Sequence, residues 1–180
     1  MELTTRVNAG EALGNRILKV NHAGEHGAVN IYAGQRWIGR WTAPDLLPQL
    51  AEFQQHEQGH RALFAEEIGK REVRRCRRYY FCGAGGFLLG CVSALCGRAA
   101  IAATTVAVER VVLGHLDQQI TVLRGHDDVA AGVISKIVAE EREHHDSAKS
   151  QLPATSFWVK VFTPVVAIST ELVIWLGMHL

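Results

Sequence analysis

The chain of 180 residues has no surplus of either charge: 19 Lys and Arg stand against 18 Asp and Glu, a formal net charge of +1. That excludes a global nucleic-acid signature, and 48% hydrophobic with 21% charged residues excludes a disordered chain. Cysteine is sparse. Cys76, Cys82, Cys91 and Cys96 form no C-x-x-C pair and three of them sit in an apolar run, which reads as reduced core or lipid-facing thiols in a reducing compartment. The first residues hold no apolar h-region and carry Glu2 and Glu11, which argues against a signal or transit peptide. No stretch keeps the two-residue alternation of strands. There is no Rossmann or flavin motif, and "CGAGGFLLG" has neither a preceding strand nor a following Lys-Ser/Thr, so it is not a phosphate loop. Its small residues suit close helix packing.

Long hydrophobic runs are borderline. Tyr79 to Val108 and Phe157 to Leu180 are oily, but the first holds about 20 apolar residues only between Arg78 and Arg98, and Lys160, Pro164 and Glu171 interrupt the second. A spanning helix needs roughly 20, so the reading favours helices lying partly in a membrane surface over helices crossing it.

What remains is helix. The first is predicted from about Gly14 to Trp41, ending at "TAPDLLP", where Pro44 and Pro48 mark the turn. The second continues to about Arg71. The basic run Lys70 to Arg78 leads into an apolar third helix, which Gly97 can interrupt and which ends near Leu123. Gly125 and the capping aspartates of "RGHDD" open a fourth, about Val129 to Gln151, and the apolar tail follows Pro153. The expected architecture is an all-α bundle with antiparallel neighbours, a single domain over 1–180 with 1–13 a flexible N-terminus.

Each of the four helices carries one glutamate inside its apolar stripe: Glu25, Glu57, Glu109 and Glu141. Two add a histidine three residues on, His60 and His144, on the same helical face. Random placement of 13 Glu and 9 His would give fewer than one E-x-x-H pair, and there are two. Glu25 to Glu57 and Glu109 to Glu141 are both 32 residues apart, so a hairpin of 1.5 Å rise per residue returns to the same height. Buried carboxylates need partners. Salt bridges would require four basic partners that these faces do not supply, whereas two divalent cations satisfy four carboxylates and two imidazoles together.

The motif "RILKVNHAGEHGAVNIYAGQ", with "GGFLLG", "AVER" and "EEREHHD", resembles the demethoxyubiquinone hydroxylase family, the Coq7 type of ubiquinone biosynthesis, over most of the chain. The resemblance implies a ferritin-like four-helix core with an extra apolar C-terminal helix, two iron ions per chain, and O2-dependent hydroxylation of a demethoxyubiquinone or demethoxyubiquinol ring. It implies metal ligation by Glu25, Glu57, His60, Glu109, Glu141 and His144, and a role near the metal for His115. Six residues beyond Glu109, His115 points about 240° around the helix from it, so that role rests on the resemblance alone. The chain departs from the family at Leu116, where Tyr is usual, at Asn21, where Asp is common, and in "RRCRRYYFC", which replaces a Pro- and Trp-containing segment.

Expected partners are a polyprenyl quinone or quinol, O2, an electron donor of unspecified identity and other ubiquinone-biosynthesis proteins. The basic run before Tyr79, Tyr80 and Phe81 adds an anionic lipid surface; a solvated linker or an acidic partner such as RNA are the alternatives. The expected location is peripheral, on the cytoplasmic side of a bacterial cell membrane or the matrix side of the mitochondrial inner membrane. A ferroxidase and a tRNA hydroxylase are the competing functions.

Overall fold

The computed structural model describes residues 12–152 and 157–179. Among these are six α-helices, a 3-10 turn at Pro44–Leu46 and no strand: α1 Leu13–Thr42, α2 Leu47–Lys70, α3 Tyr79–Leu95, α4 Arg98–Leu123, α5 Asp128–Ser150 and α6 Phe157–His179. The expected flexible stretch 1–13 lies almost wholly outside the described residues, and Leu13 already belongs to α1.

Helices α1, α2, α4 and α5 form the four-helix core. Ile17 and Leu18 of α1, Phe64 of α2, Leu116 of α4, and Ile134 and Ile137 of α5 share one apolar cluster. Its end is tied by Arg71, whose guanidinium donates to Asp127 at 2.6 and 2.8 Å, to Glu67 at 2.6 Å and to Asn15 at 3.1 Å. Asp127 also caps α5, accepting from the Ala130 N–H at 3.1 Å, so one carboxylate both starts a helix and holds it to its neighbours.

The single third helix of the sequence reading is two helices. Gly97 has φ +86°, a left-handed conformation that only glycine adopts without strain, and the chain turns there. The "GGFLLG" segment therefore lies on α3 and Glu109 on α4. Helix α3 packs against α1 through its small residues: a Cβ on Gly86 would lie 2.3 Å from the Gly27 carbonyl oxygen and one on Gly90 2.1 Å from that of Ile31. Helix α6 packs on α4, seating Phe162 and Val166 on the small face of Ala100, Ala103 and Ala107. Two outer helices, not one, therefore flank the core.

Helices α4 and α6 are long and apolar enough to cross a membrane by length and composition, while α3 is a shorter apolar helix. Most of the apolar window of α4 is buried in the bundle, whereas little of that of α6 is.

Candidate metal centre

Glu25 projects from α1, Glu57 and His60 from α2, Glu109 from α4, Glu141 and His144 from α5, and all six are buried. Each occupies the inward stripe of an otherwise apolar face, so packing of the helices forces the six together. They form two overlapping groups. Glu25, Glu57, His60 and Glu141 offer ligand atoms within 4.8 Å of one another, and so do Glu57, Glu109, Glu141 and His144. Glu57 and Glu141 belong to both. The Nδ1 of His60 lies 2.9 Å from Glu141 Oε1 and 3.6 Å from Glu57 Oε2, and the Nδ1 of His144 lies 3.2 Å from Glu57 Oε1.

These close approaches are not hydrogen bonds. The Nδ1 atoms of His60 and His144, Oε1 of Glu57 and both carboxylate oxygens of Glu141 are buried without a hydrogen-bond partner. Orphaned polar atoms cost free energy in a dry interior, and here they converge on shared points. That is the arrangement two cations between the groups would satisfy, with oxygen and nitrogen donors suited to iron or manganese.

The electrostatics carry the same strain. Burial, followed by repulsion from neighbouring carboxylates, pushes Glu25 and Glu109 well above the usual carboxylate range. Burial acts in that direction on Glu57 too, but the adjacent His144 and His60 outweigh it and hold Glu57 at about 2. Burial disfavours a proton on His60, yet the carboxylates of Glu141 and Glu57 raise it to about 10. Without a metal, protons on some of these groups neutralise the others.

The histidines are oriented from outside, crosswise. His60 Nε2 lies 2.9 Å from Glu140 Oε2, and His144 Nε2 lies 3.0 Å from His56 Nδ1. The residue immediately before each E-x-x-H motif thus supports the histidine of the other motif. Sequence reasoning missed both; a titratable residue ahead of each motif glutamate was the available signal. The string "HEQGH" also matches a zinc-protease signature, but His56 pairs with His144 and stands outside both ligand groups. Tyr32 of α1 adds a further contact: its hydroxyl donates to Glu109 Oε1 at 3.2 Å.

His115 does not join the cluster. Its Nε2 lies 3.0 Å from Glu171 Oε2 of α6, and it lines the wall of a cavity of about 460 Å³ with Glu25, Glu57, Glu109 and Glu141. The rest of that wall is chiefly apolar and, among the described residues, holds no Lys or Arg. Phe81, Leu88 and Val92 of α3 line it too and are themselves exposed, so they form its rim. Leu116, in the position where Tyr is usual, is buried in the core and lines the same cavity. Asn21 exchanges two amide hydrogen bonds with Gln119, at 2.7 and 3.2 Å, a pairing an aspartate could not complete.

Fold and donor set together define the class: a helical bundle with a buried carboxylate–imidazole centre able to hold metal, opening on an apolar cavity. The sequence model described as ubiquinone biosynthesis protein COQ7 matches residues 12–177. The chain belongs to that family. It is 36% identical over 171 residues to a Dictyostelium discoideum protein named NADPH-dependent 3-demethoxyubiquinone 3-hydroxylase, mitochondrial, covering 90% of this chain and 75% of the relative. It is 35% identical over 144 residues to the Homo sapiens protein of the same name, covering 77% and 65%. A Rhodospirillum rubrum protein named 3-demethoxyubiquinol 3-hydroxylase is 32% identical over 171 residues, covering 92% and 78%. The chain thus spans about two thirds to three quarters of these relatives.

Proposed function

We propose that this chain is a ubiquinone-biosynthesis hydroxylase that uses O2 and two irons to hydroxylate the ring of a demethoxyubiquinone or its quinol. The observation that carries the reading is six buried metal-type donors at the end of an apolar cavity, in a chain of this family. A ferroxidase needs no such cavity, and a tRNA hydroxylase needs a basic mouth, whereas among the described residues no Lys or Arg lines this one.

Glu57 and Glu141, which belong to both donor groups, would hold both ions, together with Glu25 and His60 at one and Glu109 and His144 at the other. A bound iron pair supplies the activation of O2. The chain's own residues do the rest. The apolar wall takes the ring and the first isoprenoid units and keeps water from the reacting carbon. Asn21 and His115 are polar side chains in that wall, placed to hold ring oxygens. One oxygen atom of O2 enters the ring in place of hydrogen and the other leaves as water, which requires two electrons and two protons. A nicotinamide is the donor class named for the Dictyostelium and human relatives. The quinone is membrane-borne, so the enzyme works at a membrane surface, and other proteins of the pathway can deliver the intermediate. In a mitochondrion that is the inner membrane on the matrix side; in a bacterium it is the cytoplasmic face.

In a ubiquinone-producing cell lacking its own hydroxylase, this gene should consume the accumulated demethoxy intermediate and restore ubiquinone, read by chromatography of extracted quinones, while His144→Ala should do neither. Persistence of the intermediate with folded, iron-loaded wild-type protein overturns the reading.

A further inference from the structure

The two halves of the donor cluster are backed by different chemistry. On one side, His60 Nε2 meets a carboxylate, Glu140, at 2.9 Å. When Nδ1 binds metal, Nε2 keeps its proton and donates it to that anion. A carboxylate acceptor makes the imidazole a stronger donor to the metal. On the other side, His144 Nε2 meets a second imidazole, His56, at 3.0 Å, a neutral acceptor that polarises its partner less. The terminal carboxylates differ in the same sense. Glu109 gives part of its electron density to the Tyr32 hydroxyl at 3.2 Å, while no hydrogen bond of that kind to Glu25 is found among the described residues. The outer contacts thus strengthen His60 more than His144, and weaken Glu109 but not Glu25. The shared ligands, Glu57 and Glu141, cancel from the comparison.

We infer that the two metal positions are unequal and fill in order, the Glu25–His60 position first, with Glu140 and Tyr32 as the positioning residues that set the difference. This rests on the two-metal reading above. Glu140 is half exposed and touches the centre only through His60, so changing it alters the donor strength of one ligand while leaving the ligand set intact. Tyr32 is buried, and Phe in its place keeps the ring and removes only the hydroxyl.

The test is an anaerobic titration of the full metal-free chain with cobalt(II), followed by visible absorption and by calorimetry, neither of which depends on turnover. Wild type should take up two ions in two resolved steps. Glu140→Gln should weaken the first step by roughly 10- to 100-fold, as loss of an outer partner does, and Glu140→Asp should recover part of it. Tyr32→Phe should tighten the second step and leave the first. His60→Ala should remove the tight step, and His144→Ala the weak one. Two ions of equal affinity in wild type, or a Glu140→Gln curve that superimposes on wild type, overturns the ordering while leaving the two-metal reading in place. Uptake of fewer than two ions overturns both.

Discussion

Glu25 and Glu109 hold their protons more tightly in the folded chain than in the unfolded one, because burial and then neighbouring carboxylates disfavour their charge. The metal-free fold therefore loses stability as pH rises above the ordinary carboxylate value of 4.5. His60 acts in the same sense: its contribution is complete below 6.5 and is lost as pH climbs through about 10. Glu57, held at about 2, adds stability above 4.5 that is lost only as pH falls through 2. Chelator-treated protein should thus melt at a lower temperature as pH goes from 5 to 10. Metal-loaded protein should change in the opposite sense over the lower part of that range, since ligation requires deprotonated donors. Melting curves with and without metal check both signs; a metal-free chain whose melting point rises steadily over that interval contradicts the arrangement. The clustering of these six side chains was legible because a charge in an apolar stripe stands out and because two 32-residue spacings place the groups at one height. Glu140, His56 and the Tyr32 hydroxyl were not, since each acts on a residue of another helix and its direction follows from packing.

At the scale of the helix, α3 depends on bare backbone against α1. Adding a methyl at Gly90 would place it 2.1 Å from the Ile31 carbonyl oxygen, whereas at Gly85 nothing lies within 4 Å. Gly90→Ala should cost about 1–3 kcal/mol by overpacking, pushing α3 away and opening the cavity wall. Gly85→Ala in the same helix should gain about 0.5–1 kcal/mol, because alanine loses less entropy there. Chemical denaturation of the pair separates the two effects, and equal destabilisation would show that the seam does not depend on close approach. The helices bearing the donors were readable from period and caps to within a residue or two. The break at Gly97 was flagged by residue type alone. That α3 would fold back along α1 and α6 along α4 was not readable, because small residues permit several partners and only the assembled bundle selects one.

Across the molecule, Arg74, Arg75 and Arg77 are exposed beside exposed Tyr80 and Phe81, and the guanidinium of Arg75 lies over the rings of both Tyr79 and Tyr80. If this edge meets anionic lipid, changing Arg74, Arg75, Arg77 and Arg78 to Gln should weaken vesicle binding by up to about 1 kcal/mol per charge. Added salt should mimic the change. Cosedimentation with vesicles measures it, and unchanged binding at low salt would assign the attachment to the apolar helices alone.

The cavity rim adds a kinetic consequence. Phe81, Leu88 and Val92 edge the opening and are exposed apolar side chains; with the chain seated on a membrane as proposed, the entrance would face hydrocarbon and a substrate would arrive by two-dimensional diffusion within the leaflet. Velocity should then follow the mole fraction of quinone in the bilayer. Diluting a fixed amount of substrate with inert phospholipid slows such an enzyme, even though nothing in the surrounding water has changed.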